Sequence, residues 1–266
     1  MTTIVFVHGM FQNPSSWSRW VDHFSALGYE CVAPAWPLHA GEPADLRQNP
    51  PAGLGELGLD EIVTSIENVV ARYDRPVLVG HSVGGLIAQL LLAKGRLSAA
   101  VALSSVAPNG MLDFDWGFIK NSAIIANPLK GDEPIFMDAK TFHGSFANTL
   151  SETDAELAFE ETATHDGRNV LRDCMGSSGK IDLDRPHAPL LMIGGEEDQI
   201  IPADLNEKNF KAYSDAGSVT EFQRFAGRSH FIANEPGWEE VAAAVHQFLQ
   251  RHVSAQRTAA VSGVLS

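Results

Sequence analysis

The six residues Gly80-His81-Ser82-Val83-Gly84-Gly85 stand between two strongly apolar runs and constrain the fold more than any other stretch of the chain. Before them, Pro76-Val77-Leu78-Val79 reads as a short buried strand. After them, Leu86-Ile87-Ala88-Gln89-Leu90-Leu91-Leu92 reads as a buried helix. A G-x-S-x-G pattern alone recurs by chance, but strand, sharp turn and helix form the setting in which such a serine becomes a nucleophile. The turn forces Ser82 into a strained backbone conformation that holds its hydroxyl clear of the sheet. Gly80 and Gly84 suit it because a side chain on either would clash across the turn. The plain alternative is a glycine-rich strand-to-helix turn with an incidental serine.

The rest of the chain alternates strand and helix patterns, the sign of a mainly parallel sheet covered on both faces. Strands are predicted at Ile4–Val7, Glu30–Ala33, Val77–Val79, Ala100–Ser104, Leu190–Ile193 and Thr220–Phe225. Helical spacing links Trp17, Trp20, Val21, Phe24 and Leu27, after a start and cap at Pro14-Ser15-Ser16. It returns from Leu59 to Tyr73, near Ala203–Tyr213, and from Trp238 to Leu249. Residues 34–55 read as a Pro/Gly-rich loop. From Ala107 to about Pro186 the rhythm breaks, with scattered aromatics (Phe114, Trp116, Phe118, Phe136, Phe142, Phe146) and a capping box at Ser151–Asp154 opening a short acidic helix through Glu161. The expected organisation is a core of residues 1–106 and 187–253, an insertion of 107–186 over the sheet edge, and a disordered tail of 254–266.

With 266 residues and 44% apolar content, the chain can bury a large core. Its 19 basic and 33 acidic residues give a net charge of −14, which argues against nucleic acid and anionic membranes as partners. No apolar run approaches the roughly 20 residues of a membrane helix. Met1–Val7 lacks the basic start and cleavage site of a signal peptide and reads as a first strand. A cytoplasmic monomer or homodimer without membrane insertion is the expectation. Cys31 and Cys174 lie in no metal-binding spacing. One bridge between them and two separate thiols both fit, the second better in a reducing compartment.

A serine hydroxyl is a poor nucleophile until a base takes its proton, and that base is best held by a carboxylate. Both follow at strand ends. Gly194-Gly195-Glu196-Glu197-Asp198 succeeds the Leu190–Ile193 strand, and Gly227-Arg228-Ser229-His230 succeeds the next. In a parallel sheet those ends lie together, along the edge where open α/β sheets carry their sites. His8-Gly9-Met10-Phe11 follows the first strand. An acyl-transfer site needs two N–H donors for the oxyanion. Val83, at the start of the serine's helix, and Met10, beside the permissive Gly9, are placed to supply them.

These motifs, His8-Gly9-Met10-Phe11, the Gly80–Gly85 turn, the Gly194–Pro202 segment and Gly227–Phe231, resemble those of the α/β-hydrolase fold superfamily, and more narrowly its small bacterial esterase and lipase-type members. The similarity spans nearly the whole length up to about Val253. It implies a mainly parallel central sheet flanked by helices, with a mostly helical cap inserted after the family's sixth strand. It also implies Ser82 as nucleophile, His230 as base, Asp198 as acid, and Met10 and Val83 as oxyanion donors, with no cofactor or metal and a small-molecule ester as substrate. Two departures stand out. The chain starts at what looks like the family's third strand, and Ser229 occupies a position where glycine is common.

Rivals for these roles are few. Glu196 and Glu197 neighbour Asp198, and Asp113 or Asp115 after the previous strand is an outside candidate for the acid. His8 and His81 suit structural duty, His81 beneath the serine turn. His39 and His165 are within reach of the pocket rim. A serine at position 82 argues against dehalogenase and epoxide-hydrolase chemistry, which need a carboxylate nucleophile. Lactonase, amidase, thioesterase, perhydrolase and hydroxynitrile-lyase activities stay open, as does a weakly hydrolytic ligand-binding receptor.

Overall fold

The computed structural model describes residues 1–109 and 128–263. Among the described residues, six strands and the eight helices of six or more residues carry the framework, in the order β1 (Thr3–Val7), α1 (Ser18–Ala26), β2 (Glu30–Val32), α2 (Pro43–Gln48), α3 (Leu59–Val70), β3 (Val77–His81), α4 (Val83–Ala93), β4 (Ala99–Leu103), α5 (Glu152–Thr162), α6 (Arg168–Cys174), β5 (Leu190–Gly195), α7 (Ala203–Ala212), β6 (Thr220–Phe225) and α8 (Trp238–Gly263). All neighbouring strands pair in parallel, in the order β2-β1-β3-β4-β5-β6.

Strands buried on both faces read as continuous apolar runs, which is why β1, β3, β4 and β5 are visible in the sequence. Val5, Val7 and Leu78 face the core shared with α3 and α4, while Ile4, Phe6 and Val79 face the core shared with α1 and α8. On the second side Phe6, Trp17, Trp20 and Phe24 form a contact chain with ring centroids 5.2–6.1 Å apart.

The chain passes from β1 outward to β2 and then returns across β1 to β3. The direction of winding therefore reverses between β1 and β3, and the loops leaving their carboxyl ends diverge around a crevice, the usual ligand position of open α/β sheets. Those two loops are His8–Phe11 and Ser82 with the start of α4.

The described part of the segment between β4 and β5 consists of short helices and turns: α5, α6, a π-helical turn at Phe142–Phe146 and lesser 3₁₀ turns. Ser151 caps α5 as the sequence predicts, its Oγ accepting from Asp154 N. Phe142, Phe146 and Phe159 pack into the core on the α3–α4 side. Phe114, Trp116, Phe118, Asp113 and Asp115 lie outside the described residues.

Three local readings change. The 34–55 loop contains α2, which begins at Pro43 and is held by Arg47, whose guanidinium donates to the carbonyl of Ala163 at 2.7 Å and lies 4.5 Å over the Phe159 ring. Asn13, rather than the serines after it, caps the turn ahead of α1, its Oδ1 accepting from Ser15 N at 3.0 Å. The backbone helix of α8 continues over residues 254–263, part of the segment expected to be disordered; Ala, Gln and Arg there favour helix. Cys31 and Cys174 are both free thiols. Among the described residues no helix is long and apolar enough to cross a membrane.

Candidate active site

Ser82 takes φ 56° and ψ −118°, a left-handed conformation that costs a non-glycine residue about 1–3 kcal/mol. The surrounding backbone holds it there. Ser82 N donates to Leu103 O at 2.9 Å, and Ser82 O accepts from Val106 N at 3.1 Å, so the end of β4 clamps the turn from both sides. A Cβ on Gly80 would fall 2.0 Å from Gly84 O, which is why glycine precedes the serine by two positions. The loop after β1 comes equally close: a Cβ on Gly9 would lie 2.7 Å from Ser82 Cβ. Among the described residues neither Met10 N–H nor Val83 N–H donates a hydrogen bond. Two unspent donors thus border the serine, one at the positive end of α4.

His230 follows β6 and is almost fully buried. Its Nδ1–H donates to Asp198 Oδ2 at 2.8 Å. The other oxygen of Asp198 accepts from Ile200 N and Ile201 N, both at 2.8 Å, so the carboxylate is fixed by three hydrogen bonds. This network assigns the Nδ1–H tautomer and leaves Nε2 as the lone-pair nitrogen. Glu196 and Glu197, the neighbouring carboxylates, are exposed.

His81 ties the serine turn to the histidine loop. Its Nε2–H donates to the carbonyl of His230 at 2.8 Å, and the two rings lie 4.7 Å apart. Burial, and then the proximity of His230, push the His81 pKa down to about 3, so it stays neutral and structural. The serine hydroxyl itself forms no hydrogen bond to the imidazole among the described residues, as is common before a ligand tightens such a site.

Three residues to which the sequence patterns assign no role support this arrangement. Glu235 is buried and accepts from Ser229 N at 2.9 Å and Ser229 Oγ at 3.0 Å, which gives the serine beside His230 its purpose. Thr149 donates to the same carboxylate from the segment between β4 and β5. Phe146 sets its ring edge-on to His230 with centroids 4.8 Å apart. Glu235 stands five residues after the histidine, a usable cue; Phe146 is indistinguishable by sequence from other packing aromatics.

His39 and His165 are buried rather than lining an open rim. His165 Nδ1 accepts from Met137 N at 3.1 Å, and His39 pairs with Asp166. His8 donates through Nδ1 to Gly9 O at 2.9 Å and accepts at Nε2 from Trp36 N at 3.2 Å.

A strained serine between apolar strand and helix, a buried imidazole–carboxylate pair and two idle backbone donors can together attack and stabilise an acyl group. The model of the Alpha/beta hydrolase family matches residues 4–244. The chain belongs to that family. Solved structures similar to this α/β hydrolase include a monoacylglycerol lipase from Paleococcus ferrophilus, with TM-score 0.69, 20% identity and 93% of each chain covered. Methylketone Synthase I from tomato, in complex with 2-tridecanone, has TM-score 0.71 and 15% identity over 94% of this chain and 98% of its own. A thermophilic esterase from Thermogutta terrifontis has TM-score 0.65 and 17% identity over 94% and 90%. No curated protein matches this hydrolase by sequence.

Proposed function

We propose that this α/β hydrolase is a carboxylesterase-like serine hydrolase that cleaves an ester of a small to medium, largely apolar substrate through an acyl-enzyme. The observation that carries this reading is the buried His230–Asp198 pair, which leaves only Nε2 free as a base on the loop bonded to the Ser82 turn. Ser82 Oγ attacks the ester carbonyl carbon while His230 Nε2 takes the hydroxyl proton. The oxyanion is received by Met10 N–H and Val83 N–H. Collapse breaks the bond to the alcohol oxygen, and His230 returns the proton to that leaving group. Water then gives a proton to His230 and attacks the acyl carbon, and release of the carboxylic acid restores Ser82. Asp198 stays ionised and stabilises the imidazolium formed in both halves.

The apolar neighbours Met10, Val83, Phe146 and Phe231 favour an uncharged substrate. The test is turnover of p-nitrophenyl esters from acetate to decanoate, with lactones and amides beside them. Ser82→Ala is expected to lower ester turnover by at least about 10³-fold in folded protein. Retained turnover in that variant overturns the assignment.

A further inference from the structure

The loop expected to supply Met10 N–H is not self-supporting. Phe11, the next residue, has φ 63°, again left-handed and strained for a bulky side chain. Both sides of its backbone are gripped by residues 164–166, more than 150 positions away in the chain. Phe11 N donates to Asp166 Oδ2 at 2.9 Å, and Phe11 O accepts from Thr164 N at 2.9 Å. Thr164 Oγ1 adds a bond to Gln12 O at 3.3 Å.

Asp166 is fully buried, and its second oxygen accepts from Gly167 N at 2.7 Å. The charge on that carboxylate has a partner. His39 Nε2 lies 3.3 Å from Asp166 Oδ2, and His39 Nδ1 is 2.9 Å from Pro37 O. Nδ1 is thus in a hydrogen bond, while Nε2 is in a charge contact with the carboxylate that does not have hydrogen-bond geometry, and both lie in a buried site. A neutral imidazole would turn a lone pair toward one of the two oxygens, so the arrangement fits a cation.

We propose that Asp166, neutralised by protonated His39, is a positioning residue for the reaction: it locks Phe11 in its strained conformation and so aims Met10 N–H at the oxyanion. This inference rests on the reading of Ser82 as nucleophile. It concerns a group that touches no substrate atom and acts through the loop.

The electrostatics around the pair agree. Burial pushes His39 down, but the Asp166 carboxylate more than offsets this and holds its pKa above the ordinary histidine value. Burial and then the His39 charge hold His8 well below its usual range. Burial holds His165 low, and burial followed by the nearby Asp173 carboxylate pushes the Cys174 thiol up. Proton loss from His39 at alkaline pH leaves Asp166 uncompensated and loosens the lock, giving activity an alkaline limb.

The experiment measures kcat and KM for p-nitrophenyl acetate from pH 6 to 10 in the wild type, Asp166→Asn and His39→Gln, per active site titrated with a fluorophosphonate. Asp166→Asn keeps an acceptor oxygen for Phe11 but loses the charge. Its kcat is expected to fall about tenfold with KM within about twofold, because an oxyanion donor acts in the transition state rather than on bound ester. His39→Gln is expected to remove the alkaline limb. A kcat per titrated site within twofold of wild type in Asp166→Asn overturns the inference, as does an unchanged alkaline limb in His39→Gln. Should Asp166→Asn fail to fold, the His39→Gln profile decides alone. A wild type that neither hydrolyses the ester nor takes the label at Ser82 instead overturns the nucleophile reading, and this inference with it.

Discussion

His230–Asp198 and His39–Asp166 are both buried imidazole–carboxylate pairs, yet they differ in the nitrogen that meets the carboxylate. His230 gives Nδ1–H to its aspartate and keeps Nε2 unspent. His39 bonds a carbonyl through Nδ1 and sets Nε2 3.3 Å from the Asp166 carboxylate, a charge contact rather than a hydrogen bond. The first pair sits on loops at strand ends with its carboxylate held by two backbone N–H groups. The second joins the chain after β2 to the segment between β4 and β5. Burial and a carboxylate do not make a histidine a base; a nitrogen turned away from the carboxylate does. In the proposed mechanism the same two residue types serve proton transfer in one place and backbone fixation in the other.

The largest effect that tests this contrast is Asp198→Asn. An amide there still accepts from Ile200 and Ile201 but disfavours the required tautomer, so kcat for p-nitrophenyl acetate is expected to fall by about 10⁴-fold with the fold retained. A loss of tenfold or less would erase the distinction from Asp166. Next is Asp166→Ala, which strands the buried His39 charge and the Phe11 N–H. Urea unfolding at pH 6 is expected to show a loss of about 3–5 kcal/mol.

A smaller effect separates the pairs by pH. His39 has a raised folded pKa, so its contribution to stability is complete below the unfolded value of about 6.5 and disappears as pH rises through the folded one. His81 is depressed to about 3, so the unfolded chain takes up its proton first and stability falls as pH drops below about 6.5. Urea midpoints from pH 5 to 9 are expected to show a shallower alkaline decline in His39→Gln, with the acid decline intact. The smallest effect is Phe146→Leu, a near volume-conserving change against His230. It is expected to cost under about 1.5 kcal/mol by the same unfolding measurement and to lower kcat only a few-fold.

What was legible in the sequence divides along the same line. The His230 side of the molecule follows from local signals. β1, β3, β4 and β5 are apolar runs, and Ser82, Asp198 and His230 each fall a few residues past a strand end, where a parallel sheet gathers them. The β6 strand matches its predicted bounds, Thr220–Phe225. The Asp166 side carries no such signal. Thr164-His165-Asp166-Gly167 looks like any polar turn, and its partner Phe11 lies 155 residues away. The short helices α2 and α6 form through tertiary contacts rather than through propensity, as helices of six or seven residues must. The π-helical turn that carries Phe146 has no periodicity to betray it.

The central claim is that Ser82 is an activated nucleophile, and covalent labelling tests it most directly. Folded wild type and Ser82→Ala are incubated with a fluorophosphonate at pH 7.5 and read by intact mass and peptide mapping. The account predicts one adduct per wild-type chain, on the peptide carrying Ser82, and none on the variant. An unlabelled wild type, or an adduct that persists in Ser82→Ala, would contradict it.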